Sequence, residues 1–185
     1  MSLEQIPSQE SSEPEIVTLG EDQWEIYKRL RLEALKEPTA FRNTPEEEKD
    51  LPEEAWRSDL RKTAEGREIF LFAKEGEEYV GMAGASFFSS EKMRHVASVH
   101  DVFVDSAARG GGVGMKLMTE LVERIQREHP QTEKLELNVF SSQEAAIRLY
   151  EKLGFKEVGR WTKRLKVSGK YYDHLMMERF LKESR

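Results

Sequence analysis

Val99-His-Asp-Val-Phe-Val104 is followed by Asp105-Ser-Ala-Ala108 and then by Arg109-Gly-Gly-Gly-Val-Gly114. The first piece, rich in β-branched and aromatic residues, reads as a buried strand; the second is a short loop and the third a glycine-rich turn. Val113, Leu117, Leu121 and Ile125 then recur every fourth residue, with Met118 and Val122 beside them, so the turn runs into a long amphipathic helix. A helix N-terminus presents unpaired N–H groups and the positive end of the dipole. Glycines without side chains let an anion reach those groups. Gly110, Gly111, Gly112 and Gly114 surround Val113 between strand and helix, which reads as a phosphate or pyrophosphate cradle with Arg109 as an added cation.

Two common phosphate loops are excluded. The dinucleotide fingerprint G-x-G-x-x-G needs a third glycine at position 115 or 117, where the chain has Met115 and Leu117. The nucleoside-triphosphate loop needs Ser or Thr after its lysine, whereas Lys116 is followed by Leu117. What remains is Arg109-x-x-Gly112-x-Gly114.

Composition narrows the function classes. A chain of 185 residues is long enough for one domain with a real core. A net charge of −6, with no basic cluster to offset it, argues against nonspecific nucleic-acid binding. There is no cysteine, hence no disulfide framework, thiolate metal site or acyl-cysteine intermediate. Acyl transfer on this chain must be direct or use another nucleophile. His95, His129 and His174 lack ligand spacing, so no metal is expected. No apolar run approaches the ~20 residues of a membrane span and no signal-peptide core is evident, so the expectation is a cytoplasmic protein without membrane association.

Taken in order, residues 1–14 are polar and acidic and predict a flexible tail, with residues 15–185 as a single domain. Glu15 to Leu19 reads as a strand. Asp22 is placed to cap a helix with Trp24, Tyr27, Leu30 and Ala34 on one face. Pro38 and Pro45 bound a loop. The acidic stretch Glu46 to Glu54 reads as a solvated surface, or as a collar steering a cationic substrate. A helix over 55–64 precedes strands over 69–73 and 79–88, joined at Glu75-Gly76, and a strand over 94–104. After the long helix, Lys134 to Phe140 alternates as a strand, and the crossover makes these two strands parallel. Ser141-x-x-Glu144 has the pattern of a capping box; Ala146, Leu149, Tyr150 and Leu153 form a helical stripe, with Gly154 as its stop. Strands over 155–167 and 170–180 meet at Ser168-Gly169. The fold class is α/β (α+β): a mixed, mostly antiparallel central sheet of about seven strands flanked by helices.

Arg109-x-x-Gly112-x-Gly114 resembles the pyrophosphate signature of the GNAT superfamily of acyl-CoA N-acyltransferases. Ala146-Ile-Arg-Leu-Tyr-Glu-Lys-Leu-Gly-Phe155 is similar to that superfamily's downstream helix–strand signature, so the resemblance covers roughly residues 94–160. It implies a splay between the two central parallel strands and acetyl-CoA (coenzyme A) as acyl donor. By resemblance, the backbone of Val102 faces the thioester carbonyl and that of Val104 the pantetheine amide. The amides of Arg109, Gly110, Gly111, Gly112, Val113 and Gly114 would hold the pyrophosphate, and Tyr150 would protonate the departing thiolate. Gln143 stands where the family often has Asn, and Asn138 is a second candidate polar contact to the cofactor. For the base, His100 and Asp101 are both candidates. Neighbours on a strand face opposite sides, so at most one is expected to face the acceptor. Tyr172 and Asp173 are candidates for its pocket.

The implied function is transfer of an acetyl group from acetyl-CoA directly to a primary amine in a ternary complex. The acceptor would be a small cationic metabolite or a peptide or protein amine, and a homodimer is common among similar proteins. The alternative is a nonenzymatic acyl-CoA-binding sensor, against which the presence of Tyr150 argues.

Overall fold

The apolar run Ile69-Phe-Leu-Phe-Ala73 has no alternation because its strand is covered on both faces. Ile69, Leu71 and Ala73 enter one hydrophobic cluster, whereas Phe70 and Phe72 enter another on the opposite side. The computed structural model describes residues 13–182 and shows how the chain covers both. Its elements are β1 (Glu15–Val17), α1 (Trp24–Leu35), α2 (Pro45–Glu48), α3 (Glu53–Ala64), β2 (Glu68–Glu75) and β3 (Glu78–Phe87). They continue as β4 (Val96–Val104), α4 (Val113–Glu128), β5 (Lys134–Phe140), α5 (Glu144–Lys152), β6 (Lys156–Val167) and β7 (Lys170–Phe180). The strands form a seven-stranded sheet in the order β1-β2-β3-β4-β5-β7-β6. Only β4 and β5 pair parallel, so the mixed, mostly antiparallel class read from the sequence holds.

One face of the sheet packs on α4 and α5. Val113, Leu117, Met118, Leu121, Val122 and Ile125 are all buried there, as their helical spacing predicts. Each such side chain removed from water contributes on the order of 1.5–3 kcal/mol. The other face packs on α1 and α3 through Tyr27, Leu30, Ala34, Trp56 and Leu60. Tyr27 sits edge-on to both Trp56 and Phe70, with ring centroids 5.5 and 5.0 Å apart.

The parallel pairing of β4 and β5 is short. It runs from Val96 opposite Lys134 to Val99 opposite Leu137 and then stops. Both strands continue, β4 to Val104 and β5 to Phe140, so they part in the middle of the sheet. At the far edge, Ser168 and Gly169 have φ of 48° and 79°, as a two-residue hairpin turn between right-twisted strands requires.

Three local expectations are corrected. Asp22 lies within a single 3-10 turn, Glu21–Gln23, and the Gly20 N–H there is held by the side chain of Gln23. Ser141 does not cap α5: Gln143 is the N-cap, and the Ser141 hydroxyl instead accepts from the Asp173 N–H at 3.2 Å. The Asp173 N–H on β7 takes the hydroxyl oxygen that a local cap would use. Glu48, read as part of a solvated acidic surface, is buried against Arg31. Of the expected tail, residues 1–12 lie outside the described residues, Pro14 is buried, and Glu13 pairs with Lys116 at 3.1 Å.

Candidate active site

The glycine-rich turn leaves β4 through a 3-10 turn, Ser106–Ala108, stabilised by Asp105 Oδ1 accepting from the Ala107 N–H. Gly110 and Gly112 both have φ of 86°, a left-handed backbone that side chains oppose. An added Cβ at either would meet nothing within 4 Å, so the turn is open toward solvent. Gly114 is glycine for another reason: a Cβ there would lie 3.3 Å from Leu149 and 3.5 Å from Val104, where α4 closes on α5 and β4. Among the described residues, no N–H from Gly110 to Met115 donates to a backbone acceptor. These amides converge at the N-terminus of a 16-residue helix, a fit for a pyrophosphate on chemistry alone.

Arg109 does not stand free beside them. Its Nε donates to the Val104 carbonyl at 2.8 Å and its guanidinium pairs with Glu37. It staples the loop after α1 to the end of β4, and it occupies the Val104 carbonyl. The cations that line the groove without this constraint are on α5: Arg148, paired within its helix to Glu144, and Lys152, which has no ion pair among the described residues. They sit one helical turn apart on α5, a spacing legible in the sequence. The groove, about 420 Å³, runs from the glycine turn past Val104, Ala146 and Leu149 to Val102 and Gln143.

His100 and Asp101 break the expected alternation. Gly84 pairs with His100 and Met82 with Phe103, so Asp101 and Val102 together oppose Ala83 alone. This is a β-bulge, with Asp101 in the left-handed region at φ 51°. The bulge turns both side chains to one side, and His100 Nδ1 lies 3.1 Å from Asp101 Oδ2. Gly84 makes room: a Cβ there would lie 2.6 Å from the imidazole. Asp101 Oδ1 accepts from Arg31 at 2.6 Å, and Arg31 also grips Glu48 with bonds of 2.8 and 2.9 Å. Burial alone would raise the Asp101 carboxyl; the hydrogen bond from His100 and the charge of Arg31 overcome it and hold the group below its ordinary value. For His100, burial opposes charging, but the bond to Asp101 and the nearby charges of Asp101 and Glu68 raise its value. The second ring nitrogen of His100 faces Glu68 at 3.8 Å. Both nitrogens therefore look at carboxylates, and the carboxylate of Asp101 is shared between the Arg31 guanidinium and the His100 imidazole.

A second cavity of about 450 Å³ lies beyond the splay. His100, Asp101, Asn138 and Tyr150 line it, together with Arg42, Trp161, Arg164 and His174. It adjoins the first groove, since Phe41, Val102, Gln143 and Ala146 line both. Tyr150 is 5 % exposed, and burial pushes its phenol well above the usual tyrosine range. Its hydroxyl makes no hydrogen bond among the described residues. Gln143 reaches Thr39 Oγ1 at 3.2 Å, tying the loop after α1 to the start of α5. From β7, His174 lines the cavity, whereas Tyr172 and Asp173 do not. Asp173 instead accepts from the Lys163 N–H at 2.9 Å. No described grouping of three or more His, Asp or Glu could hold a metal, and no described helix is long and apolar enough to cross a membrane.

These features can be set beside known proteins. An uncharacterized N-acetyltransferase of Methanocaldococcus jannaschii is 33% identical over 72 residues, 39% of this chain and 31% of that protein. The N-alpha-acetyltransferase RimI of Mycobacterium tuberculosis is 30% identical over 109 residues, 59% of this chain and 65% of that protein. The chain thus spans about a third and about two thirds of the lengths of these curated relatives. The structure of yncA from Salmonella typhimurium with its cofactor acetyl-CoA superposes with a TM-score of 0.80 at 19% identity, covering 94% of this chain and 97% of that one. The sequence pattern of the acetyltransferase (GNAT) family matches residues 25–155, from α1 through the split strands and the glycine turn to the end of α5. A sheet opened at its one parallel pair, with an amide-lined turn at the mouth, is thus this chain's form of a shared architecture: it belongs to the acetyltransferase (GNAT) family.

Proposed function

We propose that this chain is an acetyl-CoA-dependent N-acetyltransferase that moves the acetyl group directly to a primary amine in a ternary complex, with residues 15–185 as the working domain. One observation carries the reading: two cavities, one lined by free amides and one by ionisable side chains, meet at Val102 where β4 and β5 part. Acetyl-CoA would supply an activated acyl thioester. A nonenzymatic sensor needs only the first cavity, and leaves the second, with Tyr150 in its wall, unexplained.

In this proposal the amides of Gly110 to Gly114 bind the diphosphate, and Lys152 and Arg148 add positive charge from α5. The unpaired edge of β4 beyond Val99 offers backbone groups to the pantetheine arm. The Val102 N–H would stabilise negative charge developing on the acyl oxygen, the contribution that is usually largest in acyl transfer. Because Arg109 occupies the Val104 carbonyl, the N–H is the group Val104 has to offer. Asn138 and Gln143 flank the junction, and the hold of Gln143 on Thr39 makes it a positioning residue for the loop. Tyr150 stays protonated at neutral pH and donates a hydrogen bond to the departing sulfur. His100 and Asp101 act as a fixed charge pair in the cavity wall rather than as a free base, and the amine's proton leaves to water. Arg31 and Glu68 hold that pair in place. A homodimer is a further part of the proposal. Sedimentation velocity reads it directly.

The experiment is a coenzyme A thiol-release assay across a panel of amines, paired with calorimetric titration of acetyl-CoA. Turnover with at least one amine supports the enzyme; tight acetyl-CoA binding without turnover on any overturns it in favour of the sensor.

A further inference from the structure

The acceptor cavity has a charge pattern opposite to what a collar for a cationic substrate, one of the two readings of the acidic stretch 46–54, would serve. Among the described residues Asp101 is the only carboxylate lining it, and Asp101 is shared between Arg31 and His100. Arg42 and Arg164 line it as well, and neither makes an ion pair among the described residues. We propose that the acceptor is a small amine that also carries a carboxylate, which Arg42 and Arg164 clamp across the cavity. This rests on the acetyltransferase reading and gives it a substrate class.

A second bulge delivers one of the two arginines. Trp161 pairs with His174 and Leu165 with Tyr172, so Thr162, Lys163 and Arg164 together oppose Asp173. Lys163 takes a φ of 54°, and its N–H is held by Asp173 Oδ1 at 2.9 Å. In a regular strand Arg164 and Trp161 would face opposite sides. The bulge instead puts the Arg164 guanidinium 5.4 Å from the Trp161 ring, and both on the cavity. Arg42 arrives from the loop before α2. His174, stacked on Phe140 with centroids 4.3 Å apart, lines the same cavity. Burial, then the charges of Arg164 and Arg42, hold it below the ordinary histidine value, so both guanidinium groups act on one ring.

Two uncommitted guanidinium groups on one small cavity repel a polyamine and match a carboxylate, which arginine holds by paired hydrogen bonds. The same charges disfavour an ammonium ion beside them, and so favour the neutral amine that attacks. A cavity of about 450 Å³ suits a free amino acid. A peptide N-terminus would place a neutral amide where the cations converge and leave them without a counter-charge.

The test compares each amino acid with its own methyl ester and primary amide, beside a polyamine and a peptide. Acetylation is read by thiol release, and binding by calorimetry in the presence of coenzyme A. We expect kcat/KM about tenfold or more higher for the free acid than for its ester. Arg164→Gln and Arg42→Gln should each erase that preference, mainly through KM, the effect of losing one charge-assisted bond. Preference for the polyamine, the ester or the peptide overturns the proposal. If nothing is acetylated but the free acid binds and Arg164→Gln abolishes that binding, the anion site stands and the acetyltransferase reading falls. If no carboxylate-bearing amine binds or reacts, the anion site itself is overturned. Arg42 and Arg164 are both exposed, so unaltered thermal unfolding of the variants checks that the fold persists.

Discussion

The cofactor groove and the acceptor cavity meet at Val102 but are made of different material. The groove is largely backbone: left-handed glycines, free amides and the unpaired edge of a strand. The cavity is largely side chain: arginines, histidines, one tyrosine and one tryptophan brought together from a loop, three strands and two helices. A backbone site binds whatever carries the matching anion and tolerates change in the side chains around it. A side-chain site is redrawn by single substitutions, and its specificity belongs to the individual protein. The difference predicts where a mutation costs binding outright and where it changes preference.

The largest expected effect is in the groove. Gly112→Glu forces a side chain onto a backbone at φ 86° and puts a carboxylate among the free amides, so acetyl-CoA affinity should fall by about a hundredfold or more. Calorimetry that showed unchanged affinity would break the pyrophosphate assignment. Tyr150→Phe comes next and separates the two regions. We expect kcat to fall by about a hundredfold with acetyl-CoA affinity changed less than about threefold, the size of a lost proton donor. Equal losses in both would reduce Tyr150 to a packing residue.

Asp101→Asn tests the cavity wall through stability. It removes a half-buried partner of both Arg31 and His100 and should cost about 1–3 kcal/mol in urea unfolding. The sign of its pH dependence follows from the two shifts. His100 has a folded value raised above 6.5, so its contribution is complete below 6.5 and fades as pH rises through that folded value. Asp101 has a folded value lowered from 3.8, so its contribution is complete above 3.8 and fades as pH falls through the lower one. The wild-type advantage over Asp101→Asn should therefore be greatest between these limits and shrink on the alkaline side. A difference independent of pH would show that the pair is not ionised as described. The smallest effect is Lys152→Ala, which should weaken acetyl-CoA several-fold at low salt and less at high salt, because an exposed charge is screened.

The groove was legible in the chain because its demands fall on single residues. A left-handed turn needs glycine at 110 and 112, a close helix contact needs it at 114, and α4 announces itself by a four-residue repeat. The parallel pair followed from connectivity. Arg109 was legible as a residue but not as a role, since its partner Glu37 is 72 positions away. The Ser141 box misled for the same reason: a strand 32 residues downstream offered its hydroxyl a better partner.

By itself, then, the sequence determined the fold class, the order of elements apart from the short α2, and the amide-lined turn, all set by local backbone preference and by hydrophobic period. Only the tertiary structure decided what the acceptor meets. Two bulges, at Asp101 and at Lys163, reverse the facing of the residues beside them, and neither carries a glycine to give it away. A bulge arises from how two strands register over their whole length. The charges it re-aims, His100, Asp101 and Arg164, acquire their surroundings only once distant segments close around them.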